Sequence, residues 1–547
     1  MLAAMPPSPS IRPHGSEPPI RDRGDACPGA LRLHSAADGH LARVRVPAGD
    51  LTVRQAEALA DAADRLGDGH LSLTSRGNAE LRGLPDDCGS RLAALLREAG
   101  LLPSERHERI RNILASPLAG LDRHTPSDVR RWARELDGLL CTSESATALS
   151  GRFLFVMDDG RGDVAALGGD VSLVAELAGG GGPAEPGDQP RTGVSAKPGD
   201  ESGTAAPDHG DQSGTGHPAR PGGSALLRVG DDPAALRIAG SDAARAALTA
   251  AEAFLSAAET SGTGAWRVRE LPAGHGLTAR GVAERLRGAG IGFEFVAGAT
   301  DVAPAPGPTP TPYADSSTPG IIEGRDGARA LCVLAPLGRV SVAQWRLLAG
   351  VAAADGDGTL RLTPWRGIVI PGLSADAAAA RLRVLDAAGL ITDPDSPWHR
   401  IGACTGRPGC AKSLTDVRAD ATAAVRAGTP VPASASGPDV CSDAVPRLSG
   451  GPGPGPRQGP MPEPEPKPGR GPGPGPEPGQ GTGPGADNPA PRPHLPVYWS
   501  GCERRCGHPH GAWVDVLATA DGYRVSVVRP KTPPAPAAPP AAPCSTS

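Results

Sequence analysis

GDLTVRQAEALADAADRLGDGHLSLTSRGNAELRGL, residues 49–84, returns 289 positions later as GRVSVAQWRLLAGVAAADGDGTLRLTPWRGIVIPGL, residues 338–373. The alignment pairs Gly69 with Gly358 and continues without a gap to Ile391. Chance rarely aligns several glycines at one constant offset. The sequence therefore predicts a duplicated domain.

Each copy shows the same order of elements, strand–helix–strand–strand–helix, from its apolar periodicity and capping residues. The elements predicted in the first copy are strand 41–46, a helix from the Thr52 cap to about 66, strands 70–74 and 79–84, and helix 87–99 closed by Gly100. Those predicted in the second copy are strand 331–335, a helix from the Ser341 cap to 354, paired strands through 370, and helix 375–388. This order is typical of a ferredoxin-like α+β unit, and we expect the two copies to pack about a pseudo-twofold axis.

Glycine and proline are concentrated in segments that interrupt this pattern. The chain of 547 residues contains 75 Gly and 62 Pro. Residues 185–223 and 449–493 have few large apolar side chains, so they cannot offset the entropy of ordering. We expect both to be disordered insertions, with a shorter linker at 301–320.

Charge and hydropathy exclude several classes of protein. The net charge of −5 argues against a general nucleic-acid binder. No apolar run approaches the ~18 residues of a membrane helix, and residues 1–21 lack the apolar core of a secretory signal. We therefore expect a cytoplasmic protein with no nucleic acid or membrane as partner, whose ten cysteines are reduced.

Four cysteines form two close pairs. Cys404 and Cys410 have five residues between them, and Cys502 and Cys506 have three. Zinc sites usually separate paired ligands by two to four residues and often include histidine. The spacing favours a four-thiolate iron–sulfur cluster, while two unrelated pairs of buried thiols remain the alternative.

Several stretches around these cysteines resemble the sirohaem-dependent sulfite and nitrite reductases and, within that superfamily, most of all the precorrin-3B synthases. These stretches are CPGALR at 27–32, LTSRGN at 73–78, CAKSLTDVRAD at 410–420 and SGCERRCGHP at 500–509. The resemblance covers residues 27–528. It implies a [4Fe–4S] cluster held by Cys404, Cys410, Cys502 and Cys506, and in the reductases the last of these thiolates also bridges to the sirohaem iron.

The resemblance also implies a reaction. Precorrin-3B synthases hydroxylate a meso carbon of precorrin-3A with O2 and close a γ-lactone, in aerobic cobalamin biosynthesis. They use the cluster with a mononuclear iron, and the electrons come from NADH or a reduced carrier protein. The chain would then be an iron–sulfur monooxygenase. The alternatives are a sirohaem sulfite or nitrite reductase and a non-catalytic iron–sulfur electron carrier.

Arginines at repeat-equivalent loops are candidate ligands for the carboxylates of a tetrapyrrole, since guanidinium binds carboxylate in bidentate geometry. The substrate- or cofactor-binding candidates are Arg76, Arg82, Arg111, Arg366 and Arg400. Each alone is also compatible with a solvated surface arginine.

The resemblance assigns catalytic places to Arg76 and Arg111, which match the two active-site arginines of the reductases. Arg152 takes the place of one of their lysines, and Leu154 takes the place of the other. Losing that second cation argues against reduction of a small oxyanion, which needs a dense positive pocket. A leucine at this place suits a site whose substrate is the tetrapyrrole macrocycle itself.

The expected fold class is α+β, with duplicated ferredoxin-like half-domains packed against two α+β domains that bind the cluster and the tetrapyrrole. The expected domains are a disordered tail 1–24, half-domain 25–104, a first α+β domain 105–300, the linker 301–320, half-domain 321–395, a [4Fe–4S]-binding domain 396–530 and a disordered tail 531–547.

Overall fold

The computed structural model describes residues 25, 27–122, 129–176, 223–296, 317–431, 495–509 and 511–529. The tails expected at 1–24 and 531–547, the insertion expected at 449–493 and all but the last residue of the insertion expected at 185–223 lie outside this range. The linker expected at 301–320 is described from residue 317 onward, and its last residue, Gly320, begins a strand.

The first repeat forms an antiparallel sheet covered on one face by two helices. Its elements are β1 (His34–Ala36), β2 (Gly39–Val44), β3 (Asp50–Thr52), α1 (Val53–Leu66), β4 (His70–Leu73), β5 (Ala79–Leu84) and α2 (Gly89–Glu98). The predicted α1 is confirmed, with Thr52 and Gln55 in a reciprocal capping box. The strand predicted at 41–46 ends earlier, at Val44, because the Val46 amide donates to the Asn78 side chain instead of a neighbouring strand.

The middle of the chain forms a mixed six-stranded sheet. Its elements are β6 (Ile113–Ala115), α3 (Arg130–Thr142), β7 (Phe155–Asp158), β8 (Val171–Ala175), β9 (Ser224–Val229), β10 (Ala235–Ala239), α4 (Ala243–Ser261), α5 (Ala279–Gly288) and β11 (Phe293–Val296). Strand order is β11-β10-β9-β8-β7-β6. The helices bury Trp132 and Phe254 against Phe155 and its neighbours, while Leu114 and Val156 belong to a separate apolar group.

The second repeat has the same order of elements as the first. They are β12 (Gly320–Glu323), β13 (Arg329–Leu334), β14 (Arg339–Ser341), α6 (Val342–Ala354), β15 (Thr359–Leu362), β16 (Gly367–Leu373) and α7 (Ala375–Ala387). Ser341 and Gln344 form the same capping box that begins α1 in the first repeat. The predicted cap at Ser341 and the predicted end of α6 at residue 354 are confirmed.

The two repeats exchange strands about the predicted pseudo-twofold axis. One sheet has the order β1-β2-β5-β4-β14 and the other β12-β13-β16-β15-β3, so each repeat lends a short strand to its counterpart. Two equivalent hydrogen bonds close the exchange, from the Val53 amide to the Gly358 carbonyl and from the Val342 amide to the Gly69 carbonyl. Helices α1 and α6 pack against each other between the sheets.

The helix contact holds a buried tryptophan. The Trp345 side chain is fully buried, and its Nε1 donates to the Ala56 carbonyl at 2.8 Å, across the 289 positions that separate equivalent residues. We expect Trp345→Ala to lower the free energy of unfolding by about 3–5 kcal/mol, because it opens a large cavity in the shared core. Urea unfolding measures the change. Val384→Ala on α7, where the side chain is exposed, should have little effect, and equal losses in both variants would contradict the shared-core account.

The last domain carries the cysteines. Its elements are β17 (Ile401–Ala403), α8 (Val417–Arg426), β18 (Val497–Ser500), β19 (Trp513–Thr519) and β20 (Gly522–Val528). Strands β17, β18 and β19 are parallel, and β20 returns antiparallel to β19. Helix α8 packs Val417 and Ala421 against this sheet. Within the described ranges, no helix is both long and apolar enough to span a bilayer.

Candidate functional site

Parallel pairing of β17 and β18 brings the two cysteine loops to one edge of the sheet. Cys404 directly follows β17, and Cys502 lies two residues beyond the end of β18. The Cys404 amide donates to the Trp499 carbonyl at 3.0 Å, and the Gly501 amide donates to the Cys404 Sγ at 3.2 Å. The fold therefore joins the two loops that the sequence separates by almost a hundred residues.

The four thiols lie close enough to influence one another's protonation. Burial raises the pKa of Cys404 and of Cys506, and the other cysteines of the set raise both further. Amides of Gly501 and Gly406 hydrogen-bond to Cys404 and act in the opposite direction. Backbone N–H groups aimed at sulfur are a usual feature of iron–sulfur sites.

The chemistry of the donor set fits an iron–sulfur group. Four thiols whose loops meet at one end of the sheet are the kind of ligand set that a [4Fe–4S] group takes, and this assignment stays a prediction. Among the described residues, a separate group of potential metal ligands consists of Asp158, Asp159 and Asp163.

The first half-domain reaches the first cysteine loop through Arg82. Its guanidinium forms a bidentate pair with Asp38, bonds Glu80, and donates to the Gly409 carbonyl at 2.8 Å, next to Cys410. The second half-domain reaches the other loop through Arg366, which donates to the Gly507 carbonyl at 2.6 Å. Their expected carboxylate-binding role stays a prediction.

Arg76 lies at the border between the first half-domain and the middle domain. Its guanidinium makes one hydrogen bond to the described residues, to the Arg152 carbonyl at 3.2 Å. Desolvation, with Arg267 and Arg43 nearby, lowers the pKa of Arg76 to about 10. The guanidinium of Arg152 lies 4.9 Å from the centre of the Trp266 ring. Arg76 therefore has donors available for an anion.

Arg45, which the sequence did not single out, is a second cation at this border. Arg45 is almost fully buried and donates to the carbonyls of Arg109 and Gly151 and to the Asn112 side chain. Burial lowers the pKa of Arg45 to about 9, and Arg43 also contributes. All three partners belong to the middle domain, so no local pattern around Arg45 could have identified them.

Leu154 lies in an apolar group on the middle sheet. It packs with Leu114, Val156 and Val164, and the half-buried Trp365 lies against the same group. Trp365 is the repeat-equivalent of Arg76, at the same offset of 289. The place where the resemblance implies a lysine is thus enclosed by hydrocarbon and an aromatic ring.

Two other predicted residues lie apart from this border. One edge of the buried Arg111 guanidinium, Nε and Nη2, donates to the two oxygens of the Asp137 carboxylate at 2.7 Å each, and Nη1 donates to the Leu101 carbonyl at 3.0 Å. A ligand would have to displace Asp137. Arg400 is exposed, with a positive φ of 61°, directly before β17. The functional roles expected for both stay predictions.

Parts of this chain are similar in sequence to known proteins. The nitrite/sulfite reductase ferredoxin-like half domain matches residues 34–99 and 322–388. A precorrin-3B synthase from Sinorhizobium sp is 35% identical over 154 residues, 28% of this chain and 33% of the relative. A ferredoxin–nitrite reductase from Leptolyngbya laminosa is 32% identical over 102 residues, 18% of this chain and 20% of the relative. Another ferredoxin–nitrite reductase, from Synechococcus elongatus, is 33% identical over 143 residues, which is 25% of this chain and 26% of the relative.

The likeness in structure extends further along the chain than the likeness in sequence. The NirA protein of Mycobacterium tuberculosis aligns with a TM-score of 0.56 over 89% of this chain and 73% of its own, at 14% identity, which shows a shared fold. The sequence matches span a third or less of the length of the curated relatives. The chain thus carries two nitrite/sulfite reductase ferredoxin-like half domains, is similar over part of its length to a precorrin-3B synthase and to ferredoxin–nitrite reductases, and shares the fold of the NirA protein.

Proposed function

We propose that the chain is an iron–sulfur oxidoreductase acting on a tetrapyrrole, of the precorrin-3B synthase type. The proposed reaction converts precorrin-3A to precorrin-3B. One atom of O2 enters a meso carbon, and the other leaves as water after taking up two electrons and two protons. A ring acetate closes the γ-lactone. NADH or a reduced carrier protein is the proposed electron source.

The observation that carries this proposal is the apolar environment of Leu154. A small oxyanion needs fixed positive charge around it, and a leucine packed against Val156 and Trp365 supplies none. The group is buried apart from Leu167 and Trp365, so Trp365 is the aromatic side chain with surface left for the face of a large, flat macrocycle. The 35% identity to a precorrin-3B synthase supports the same substrate class.

Cationic side chains at the border between the first half-domain and the middle domain suit the carboxylate fringe of a tetrapyrrole. Arg76 keeps free donors and stands next to Arg152 through the hydrogen bond to its carbonyl. Arg45 adds a buried positive charge behind the Gly151 loop, to whose carbonyl it donates at 2.8 Å. We assign Arg76 and Arg152 to the binding of substrate carboxylates, with Arg45 stabilising the loop that positions them.

The four cysteines would hold the [4Fe–4S] group, which supplies one-electron transfer when bound. Cys404, Cys410 and Cys502 are partly buried, and Cys506 is exposed. Among the described residues, Asp158, Asp159 and Asp163 form the one compact group of potential metal ligands, and we assign no residue to a mononuclear iron.

A sirohaem-dependent nitrite or sulfite reductase is the second candidate. The two ferredoxin–nitrite reductase relatives and the retained Arg76 favour it. A non-catalytic electron carrier explains less, because it has no use for the Arg76 donors that find no partner among the described residues.

One assay separates the two enzymes. Supplied with precorrin-3A, O2 and a reductant, the protein should consume O2 and show negligible reduction of nitrite or sulfite. The physical reason is the missing cation at Leu154. Oxygen uptake and loss of nitrite are measured on the same preparation. Robust nitrite or sulfite reduction without oxygen uptake would contradict the proposal and favour the reductase.

A further inference from the structure

Two arginines, one from each half-domain, donate to carbonyls beside the cysteine ligands. Arg82 Nη2 lies 2.8 Å from the oxygen of Gly409, the residue before Cys410. Arg366 Nη2 lies 2.6 Å from the oxygen of Gly507, the residue after Cys506. We propose that Arg82 and Arg366 are positioning residues that hold the two cysteine loops in the geometry that retains the cluster, an inference that rests on the proposed [4Fe–4S] site.

Two carboxylates of the first half-domain fix the Arg82 guanidinium that contacts the loop. Its Nε and Nη2 bond the two oxygens of Asp38 at 3.0 and 2.9 Å, and its Nη1 bonds Glu80 at 3.2 Å. The side chain is buried, so these charge-assisted bonds are strong. A Cβ on Gly409 would lie 2.7 Å from Asp38 Oδ2 and 3.0 Å from Arg82 Nη2, which explains why the loop has glycine at this contact.

Arg366 holds a backbone conformation that favours glycine. Its φ is +60°, and the equivalent residue of the first repeat, Gly77, has φ +64°. A non-glycine residue in this region is strained, and such strain persists where the side chain has a function. The stem of Arg366 lies so close to Gly338 that a Cβ there would stand 2.3 Å from Arg366 Cδ.

The Arg366 guanidinium and the Tyr498 hydroxyl both donate hydrogen bonds to the second cysteine loop. The guanidinium carbon lies 5.7 Å from the centre of the Tyr498 ring. The Tyr498 hydroxyl donates to the Cys506 carbonyl at 2.6 Å, and the next carbonyl, that of Gly507, accepts from Arg366. Two adjacent carbonyls of the loop are therefore tied to side chains outside it.

These contacts couple the cluster loops to the packing of the half-domains. Partners outside the ligand set typically change metal affinity 10–100-fold when they are removed. A substrate carboxylate at Arg82 would have to displace Asp38 or Glu80, so positioning accounts for Arg82 better than carboxylate binding does. The positioning role of Arg366 rests on its hydrogen bond to the Gly507 carbonyl and on its backbone conformation.

The test measures retention of the cluster in the full-length holoprotein. Arg366→Gly removes the side chain and accepts the positive φ without strain, so the fold should survive. We expect Arg366→Gly and Arg82→Gln to lose visible cluster absorbance to an iron chelator at least ~10 times faster than the wild type. Arg366→Lys should recover part of the loss, and the electron paramagnetic resonance signal of the reduced cluster should change in Arg366→Gly.

The matched control is Arg361 on β15. It also donates to backbone carbonyls, but these belong to Pro117 and Ala119 in the middle domain and not to a cysteine loop. Arg361→Gln should leave the rate of cluster loss unchanged. Wild-type retention in Arg366→Gly, or equally fast loss in Arg361→Gln, would overturn the proposal.

A second readout needs no cluster. In cluster-free protein, alkylation of Cys506 should be faster in Arg366→Gly than in the wild type, and alkylation of Cys410 faster in Arg82→Gln. Equal rates would overturn the positioning role. If the wild type holds no cluster at all, the proposed [4Fe–4S] site fails, while the alkylation rates still decide on the two arginines.

Discussion

Cys404→Ser, Cys410→Ser and Cys502→Ser are each expected to abolish the cluster. A serine hydroxyl is a hard, weakly acidic group that replaces a soft thiolate, and it is a poor ligand for iron–sulfur. At Cys404 the change also removes the sulfur that accepts the Gly501 amide at 3.2 Å and joins the two loops. Iron and acid-labile sulfide per chain measure the result.

Cys88→Ser is the matched control for this series. Cys88 is a buried thiol in the core of the first half-domain, where it directly precedes α2. Its substitution should leave the iron and sulfide content intact, although it can lower stability. Full cluster occupancy in any one of the three ligand variants would refute the assignment of that cysteine.

Arg76→Ala is expected to weaken tetrapyrrole binding by ~2 kcal/mol or more, about 30-fold in Kd. The change leaves a substrate carboxylate without its charged partner in a desolvated pocket, whose desolvation lowers the pKa of Arg76 to about 10. Arg76→Lys should recover part of the affinity, because a point charge does not reproduce the bidentate fork. Titration with precorrin-3A measures both variants.

Arg91 on α2 provides a matched control for Arg76. Its side chain is exposed, and its contact to Asp87 is a surface ion pair. Arg91→Ala should bind precorrin-3A as the wild type does, since an exposed ion pair contributes little. Unchanged affinity in Arg76→Ala would remove Arg76 from the substrate site.

The repeat predicted most of the half-domain fold. Thr52 and Ser341 cap equivalent helices because the same cap and the same glutamine recur in both copies. The exchange of β3 and β14 was not predictable, since each is three residues long and carries no periodic signal. It follows from the packing of the two copies, which no local pattern of residues encodes.

The cluster that the cysteine spacing predicted stays a prediction. The structure shows that the loops of the two cysteine pairs meet, through the hydrogen bond from the Gly501 amide to Cys404. Partners of single arginines were not predictable, because they come from distant elements. Arg111 meets Asp137 on α3, and Arg366 meets Gly507, across 141 positions. Only the tertiary fold decides whether such a guanidinium binds a ligand or another part of the chain.

The visible spectrum of the anaerobically purified protein, read together with its iron and acid-labile sulfide, tests the central claim most directly. The account predicts the broad absorption of a [4Fe–4S] cluster with ~4 sulfides per chain and without intense sirohaem bands. The apolar packing of Leu154 against Val156, with Trp365 beside it, is the physical basis for treating the macrocycle as substrate. Stoichiometric sirohaem bands, or the absence of acid-labile sulfide, would contradict the central claim of a [4Fe–4S] protein that binds the macrocycle as its substrate.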